Sequence, residues 1–112
     1  MARRPARTFL DSGVLIAAFK SQPSIGDPAA QIFRDPNRVF LSSPFVRLEL
    51  CPKALFNRQR EEHDFYQRYF AGAVMAHDLK AIPTLGTEEA ERSGVGPMDS
   101  LHLAAAHLLK AE

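Results

Sequence analysis

Apolar positions along the chain form short unbroken runs alternating with stripes at helical spacing. The first run, Thr8-Phe9-Leu10, predicts a strand over 7–11, and Asp11-Ser12-Gly13 reads as a turn into a helix through about Lys20. Ser21 to Pro28 holds two prolines, a glycine and two serines and reads as a loop. Asp27-Pro28 supplies an N-cap followed by proline at the first helical position, so a helix starts there. It ends by Asp35, because Pro36 disfavours helical geometry in the residue before it. Val39, Phe40 and Leu41 are apolar in succession, so 38–41 reads as a strand buried on both faces.

Ser43-Pro44 repeats the cap-plus-proline start. The helix it opens is expected to carry Phe45, Leu48 and Leu55 on one side, with Glu49 included and Pro52 kinking it. From Arg60 to about Ala76, Phe65, Tyr66, Tyr69, Phe70, Ala73 and Val74 follow helical spacing. Leu79 to Ile82 reads as a short strand ended by Pro83, and Glu88 to Arg92 as a short helix stopped by Gly94. Gly96-Pro97 opens a final helix. Strands alternating with helices predict an α/β fold around a parallel sheet, whose ligands bind beyond the carboxyl ends of the strands.

A length of 112 residues predicts one domain, 1–112, with a single core. The net charge of +1 does not advertise nucleic-acid binding. Arg3, Arg4 and Arg7 cluster near the start and read as a solvated terminus or a phosphate contact. The lone Cys51 has no partner for an intrachain disulfide and reads as a small buried hydrophobe. No signal-peptide pattern follows the basic residues 1–8, and no run approaches the roughly 18 apolar residues of a membrane span, so the expected location is cytoplasmic.

Three carboxylates stand at the edges of apolar stretches. Asp11 follows the first strand, Glu49 is the one acid between Val39 and Leu55, and Asp99 opens the apolar run Met98 to Leu109. Gathered in one pocket about 4 Å apart, each pair would repel by roughly 4 kcal/mol at an effective dielectric near 20. A divalent cation relieves that repulsion, and hard oxygen ligands favour Mg²⁺ or Mn²⁺. Each acid has a local alternative. Asp11 also suits the cap of the helix after it, and Asp99 suits the positive end of a helix dipole. Glu49 has the weakest alternative, since a carboxylate among Phe45, Val46, Leu48 and Leu50 needs a partner if buried.

Three segments together resemble the PIN-domain ribonucleases, most closely the VapC-like toxins of type II toxin–antitoxin pairs. They are Thr8 through Ile16, Val46 through Leu50, and Met98 through Ala106. The resemblance implies a three-layer α/β/α fold with a central parallel sheet. It implies that Asp11, Glu49 and Asp99 hold Mg²⁺ or Mn²⁺ and that a metal-activated water hydrolyses RNA phosphodiesters, with Ser12 at a family hydroxyl position. It further implies a tRNA or mRNA substrate, a small antitoxin protein and a homodimer. The family commonly continues past the helix that bears Asp99 into further strands, so the sheet is expected to lack its C-terminal strands and to leave an open edge. Truncation would make the chain an inactive PIN-like module that binds an antitoxin or RNA, the alternative reading. A receiver-type signalling domain is disfavoured, because the first strand supplies one acid and no late strand supplies a lysine.

Other residues remain open at this stage. His102, one turn after Asp99, either packs within its helix or bonds near the pocket, and His63, His77 and His107 read as surface residues. The cluster Phe65-Tyr66-Tyr69-Phe70 holds more aromatics than one narrow buried stripe needs, so part of it is expected to face an antitoxin helix or a second copy. Arg47, Lys53, Arg58 and Arg60 are candidate phosphate contacts or a solvated face.

Overall fold

The computed structural model describes residues 4–20 and 28–112. Within them, three strands and six helices follow in the order β1 (Ala6–Phe9), α1 (Ser12–Lys20), α2 (Pro28–Arg34), β2 (Arg38–Ser42), α3 (Pro44–Phe56), α4 (Arg60–Gly72), β3 (Val74–Met75), α5 (Ala81–Ser93) and α6 (Pro97–Leu108). The strands form a parallel sheet in the order β1-β2-β3. Ala6 pairs with Arg38 through Phe9 with Leu41, and Leu41 and Ser42 pair with Val74 and Met75. Among the described residues β1 and β3 are the two edge strands. Along β1 the Glu112 amide donates to the Arg7 carbonyl at 2.7 Å.

Two apolar clusters make the outer layers adhere to the sheet. On one side Leu15 and Ala18 of α1, Val46, Leu50, Cys51 and Ala54 of α3, and the α4 aromatics form the larger core. On the other, Ile82 of α5 and Ala104 and Ala105 of α6 pack with Ala76 in a smaller one. The α5–α6 crossing is close at Gly86, where a Cβ would stand 3.3 Å from the Ser100 carbonyl oxygen. This is the α/β/α arrangement that the resemblance implied, built on the parallel sheet expected from the alternating elements, and Cys51 is a free, buried thiol as expected.

The punctuation signals hold where they are purely local. Ser43 Oγ accepts from the amides of Phe45 and Val46 and so caps α3. Gly94, at φ 75°, ends α5 in the left-handed region. α2 opens at Pro28 and ends at Arg34; its proposed cap Asp27, the loop from Ser21 and Arg3 lie outside the described residues. α3 runs unbroken through Pro52.

Four expectations are corrected. The helix expected to reach Ala76 stops at Gly72, and Val74-Met75 leave it to form β3. Leu79 to Ile82 is no strand: α5 begins at Ala81 and absorbs the short helix expected around Glu88. Pro83 lies in the first turn of α5, where amides lack intrahelical partners and a proline therefore removes nothing. Asp78 Oδ1 accepts from the Ala81 amide at 3.0 Å to start that helix. The inward face of α3 is Val46, Leu50, Cys51 and Ala54, while Leu48 and Leu55 are exposed, because Glu49 and its neighbours face the carboxyl edge of the sheet.

The fourth correction concerns the aromatics. Phe65, Tyr66, Tyr69 and Phe70 are all buried, so none is left to form a partner groove. Phe19, Phe33 and Phe40 come from α1, α2 and β2 to pack on them, with ring centroids 5.1–5.8 Å apart for Phe33–Phe65, Phe19–Phe65 and Phe40–Tyr69. Those rings widen the stripe that the core accommodates. The basic start is also tied down. Arg7 donates from Nε and Nη2 to the Leu109 carbonyl, and Arg4 pairs with Glu112, so neither is merely solvated.

Burial pushes the hydroxyls of both tyrosines well above their ordinary pKa, and the bond from Tyr66 to Glu62 adds to it there. The neutral form is favoured in the fold, so this stabilisation is full below about pH 10 and is lost as pH rises beyond it. A phenolate absorbance titration should therefore show neither tyrosine ionising with a midpoint near 10, and ionisation should accompany alkaline unfolding. Ser43→Ala should cost about 1 kcal/mol in urea unfolding, the usual cost of a lost N-cap.

Candidate active site at the carboxyl edge of the sheet

Parallel pairing puts the carboxyl ends of all three strands at one edge, and the three sequence-predicted acids arrive there by different routes. Asp11 stands two residues beyond β1. Its Oδ1 accepts from the Val14 amide at 3.0 Å, so it caps α1 as its local alternative required. The cap engages one carboxylate oxygen, and the residue remains exposed. Capping and a site role are therefore compatible.

Glu49 sits in the second turn of α3, which the Ser43 cap starts immediately after β2. It is half-buried and does have the partners its surroundings demand: Ser12 Oγ donates to Oε1, and His102 Nε2 lies 3.2 Å from the same oxygen. Partial burial pushes its carboxyl up, but the hydrogen bonds from Ser12 and His102 set it below the ordinary glutamate value. Asp99 lies in the first turn of α6, exposed, with no hydrogen bond or ion pair of its side chain among the described residues. The helix N-terminus favours its negative charge.

Asp11, Glu49 and Asp99 line one open cavity of about 910 Å³. Ser12 and His102 line it too, and Lys20 and Lys53 bring positive charge to its wall. A neighbouring cavity of about 460 Å³, beside the open edge of β1, shares Asp11, Asp99 and His102 with the first. No Lys or Arg forms an ion pair with any of the three acids among the described residues. Carboxylate oxygens that no Lys or Arg pairs with match the donor chemistry of Mg²⁺ or Mn²⁺. Among the described residues, however, no three His, Cys, Asp or Glu side chains stand close enough to hold one ion together. The fit is that of a hard cation held by one or two carboxylates, with its remaining positions left for water and phosphate.

Of the two readings left open for His102, both hold in part: it is buried in its helix, and it also bonds to Glu49, as its three-residue spacing from Asp99 allowed. Glu62 of α4 also borders the cavity, but its Oε2 already accepts from Tyr66. Among the other histidines, His77 and His107 are exposed, and His63 is half-buried. Of the candidate phosphate contacts, Lys53 reaches the cavity, Arg47 donates to Gln67, and Arg58 and Arg60 border a separate hollow. No helix among the described residues is long and apolar enough to cross a membrane.

The family model described as PIN domain matches residues 8–112, which include all three acids. A comparison with curated proteins gives no match.

The geometry around Glu49 has a measurable sign. In metal-free protein, a carboxyl-detected NMR titration should find Glu49 below the value of a free glutamate, and Ser12→Ala should raise it, since burial then faces less opposition. The lowered value stabilises the fold above the unfolded pKa, and that contribution should fade as pH falls through the folded one.

Proposed function

The chain belongs to the PIN-domain family, whose members are generally nucleases, and from that premise we propose that it is a metal-dependent endoribonuclease, the toxin of a toxin–antitoxin pair. The observation that carries the reading is that Asp11, Glu49 and Asp99, drawn from three distant stretches, line one cavity at the carboxyl edge of a parallel sheet. Asp11 and Asp99 are the residues to hold Mg²⁺ or Mn²⁺, with Glu49 the third acid of the set. Asp11 keeps one oxygen outside its cap, and Asp99 has no competing partner among the described residues.

When bound, the ion supplies Lewis-acid stabilisation of charge on the scissile phosphate and a water acidic enough to deprotonate near neutral pH. The protein's own part is positioning. α1 and α6 present Asp11 and Asp99 from their N-terminal ends, where backbone amides also favour an approaching phosphate. Lys20 and Lys53 on the cavity wall are suited to neighbouring phosphates of a single RNA strand, and tRNA or mRNA is the substrate class. A small antitoxin that covers this cavity would block it. Homodimerisation and a cytoplasmic location belong to the same reading.

Incubation with Mn²⁺ and structured RNA tests the proposal. Asp11→Asn and Asp99→Asn should each lower cleavage by more than the roughly 10–100-fold typical of losing a ligand's hydrogen-bond partner. Undiminished cleavage by either variant would sink the proposed site. A wild-type chain that binds RNA but does not cut it would instead be a binding module. Replacing both Lys20 and Lys53 with Ala should reduce the slope of log affinity against log salt by about 1.4, the loss of two single-strand phosphate contacts.

A further inference from the structure

His102 is a histidine in a place where an apolar side chain would pack without loss. It is buried to 5% exposure, its ring lies 6.3 Å from that of Phe9, and its Nδ1 has no hydrogen-bond partner among the described residues. A residue retained for packing alone would not leave a buried nitrogen orphaned. The other nitrogen is the one with a function in view: Nε2 is 3.2 Å from Glu49 Oε1, across 53 residues of chain. An orphaned Nδ1 is better tolerated as a bare lone pair than as a buried N–H without an acceptor, so the ring proton belongs on Nε2, where Glu49 accepts it.

We infer that His102 is a positioning residue, which holds Glu49 Oε1 through a neutral Nε2–H so that Oε2 alone is presented to the cavity. This inference rests on the proposed site. Two donors converge on Oε1: Ser12 from α1, adjacent to Asp11, and His102 from α6, one turn beyond Asp99. The carboxylate of α3 is thereby fastened to the two helices that carry the other acids. A half-turn about the terminal bond of Glu49 only exchanges its two equivalent oxygens, so two donors on one oxygen fix the plane of the carboxylate and leave the other oxygen to the cavity. In metal sites generally, such outer partners orient the ligand and strengthen its hold on the ion.

His102→Leu and His102→Gln separate this role from packing. Leu fills the slot without a donor, whereas Gln offers an amide N–H in place of Nε2–H. Leu should lower kcat for Mn²⁺-dependent RNA cleavage about tenfold or more and weaken Mn²⁺ binding, read by the spin-resonance signal of free Mn²⁺, by a similar factor. KM for RNA should stay within about twofold, since no phosphate contact is removed. The melting temperature should not fall, and Gln should restore most of both losses. Wild-type kcat and Mn²⁺ affinity in His102→Leu would overturn the inference, as would equal losses in Leu and Gln.

A third readout is independent of cleavage. Two-bond proton–nitrogen NMR of the metal-free protein should show His102 as the Nε2–H tautomer, and Glu49→Ala should remove that preference. A mixed tautomer in the wild-type protein would overturn the inference on its own. Asp11→Asn serves as the control for the underlying site: full cleavage by that variant means the site reading has failed. The tautomer measurement then decides separately whether His102 holds Glu49.

Discussion

The parallel pairing of β2 with both β1 and β3 is the constraint from which the rest of this structure follows. Parallel strands cannot be joined by a hairpin, so every strand must hand the chain to a crossover that returns it to the opposite edge. Here the helices perform that return, and their apolar faces are what cover the sheet. All strands therefore end at the same edge. Whatever follows β1 and β2 within a few residues is delivered there, which is how Asp11 and the start of α3 become neighbours.

That edge concentrates negative charge that no ion pair with Lys or Arg offsets among the described residues. The protein tolerates it by two means. Asp11 and Asp99 remain exposed and lie at helix N-termini, where solvent and the macrodipole offset the repulsion between like charges. Glu49 is less exposed and needs hydrogen bonds, which Ser12 and His102 provide strongly enough to overcome its partial burial. Carboxylates supported in this way can receive a cation or donors on a substrate, which is the physical basis of the nuclease reading.

The aromatic core decides how firmly α3 and α4 sit beneath that wall. Tyr66 links the two regions directly, since it is fully buried in the larger core while its hydroxyl bonds Glu62 at the cavity border. Tyr69 likewise reaches the sheet, with its hydroxyl 3.5 Å from the Leu41 carbonyl oxygen. Seven rings from α1, α2, β2 and α4 account for the apparent excess of aromatics on α4. A helical wheel drawn for one helix does not show them, because its width is set by what the neighbouring elements bring.

By itself the sequence determined what depends on a few adjacent residues: the cap at Ser43, the stop at Gly94, the proline openings of α2, α3 and α6, and the apolar runs of β1 and β2. It also singled out Asp11, Glu49 and Asp99, since acids at the ends of apolar stretches are visible without a fold. Tertiary structure alone decided the rest. Val74-Met75 is a strand because Leu41 and Ser42 offer it partners, and two residues carry too little pattern to announce that against the helical stripe before them. Likewise, the spacing of His102 from Asp99 placed it near the pocket but did not name Glu49 as its partner, because that bond exists only where α6 and α3 meet at the same edge of the sheet. Local backbone preferences act over one or two turns, whereas pairing and burial act between segments whose distance in sequence says nothing of their distance in space.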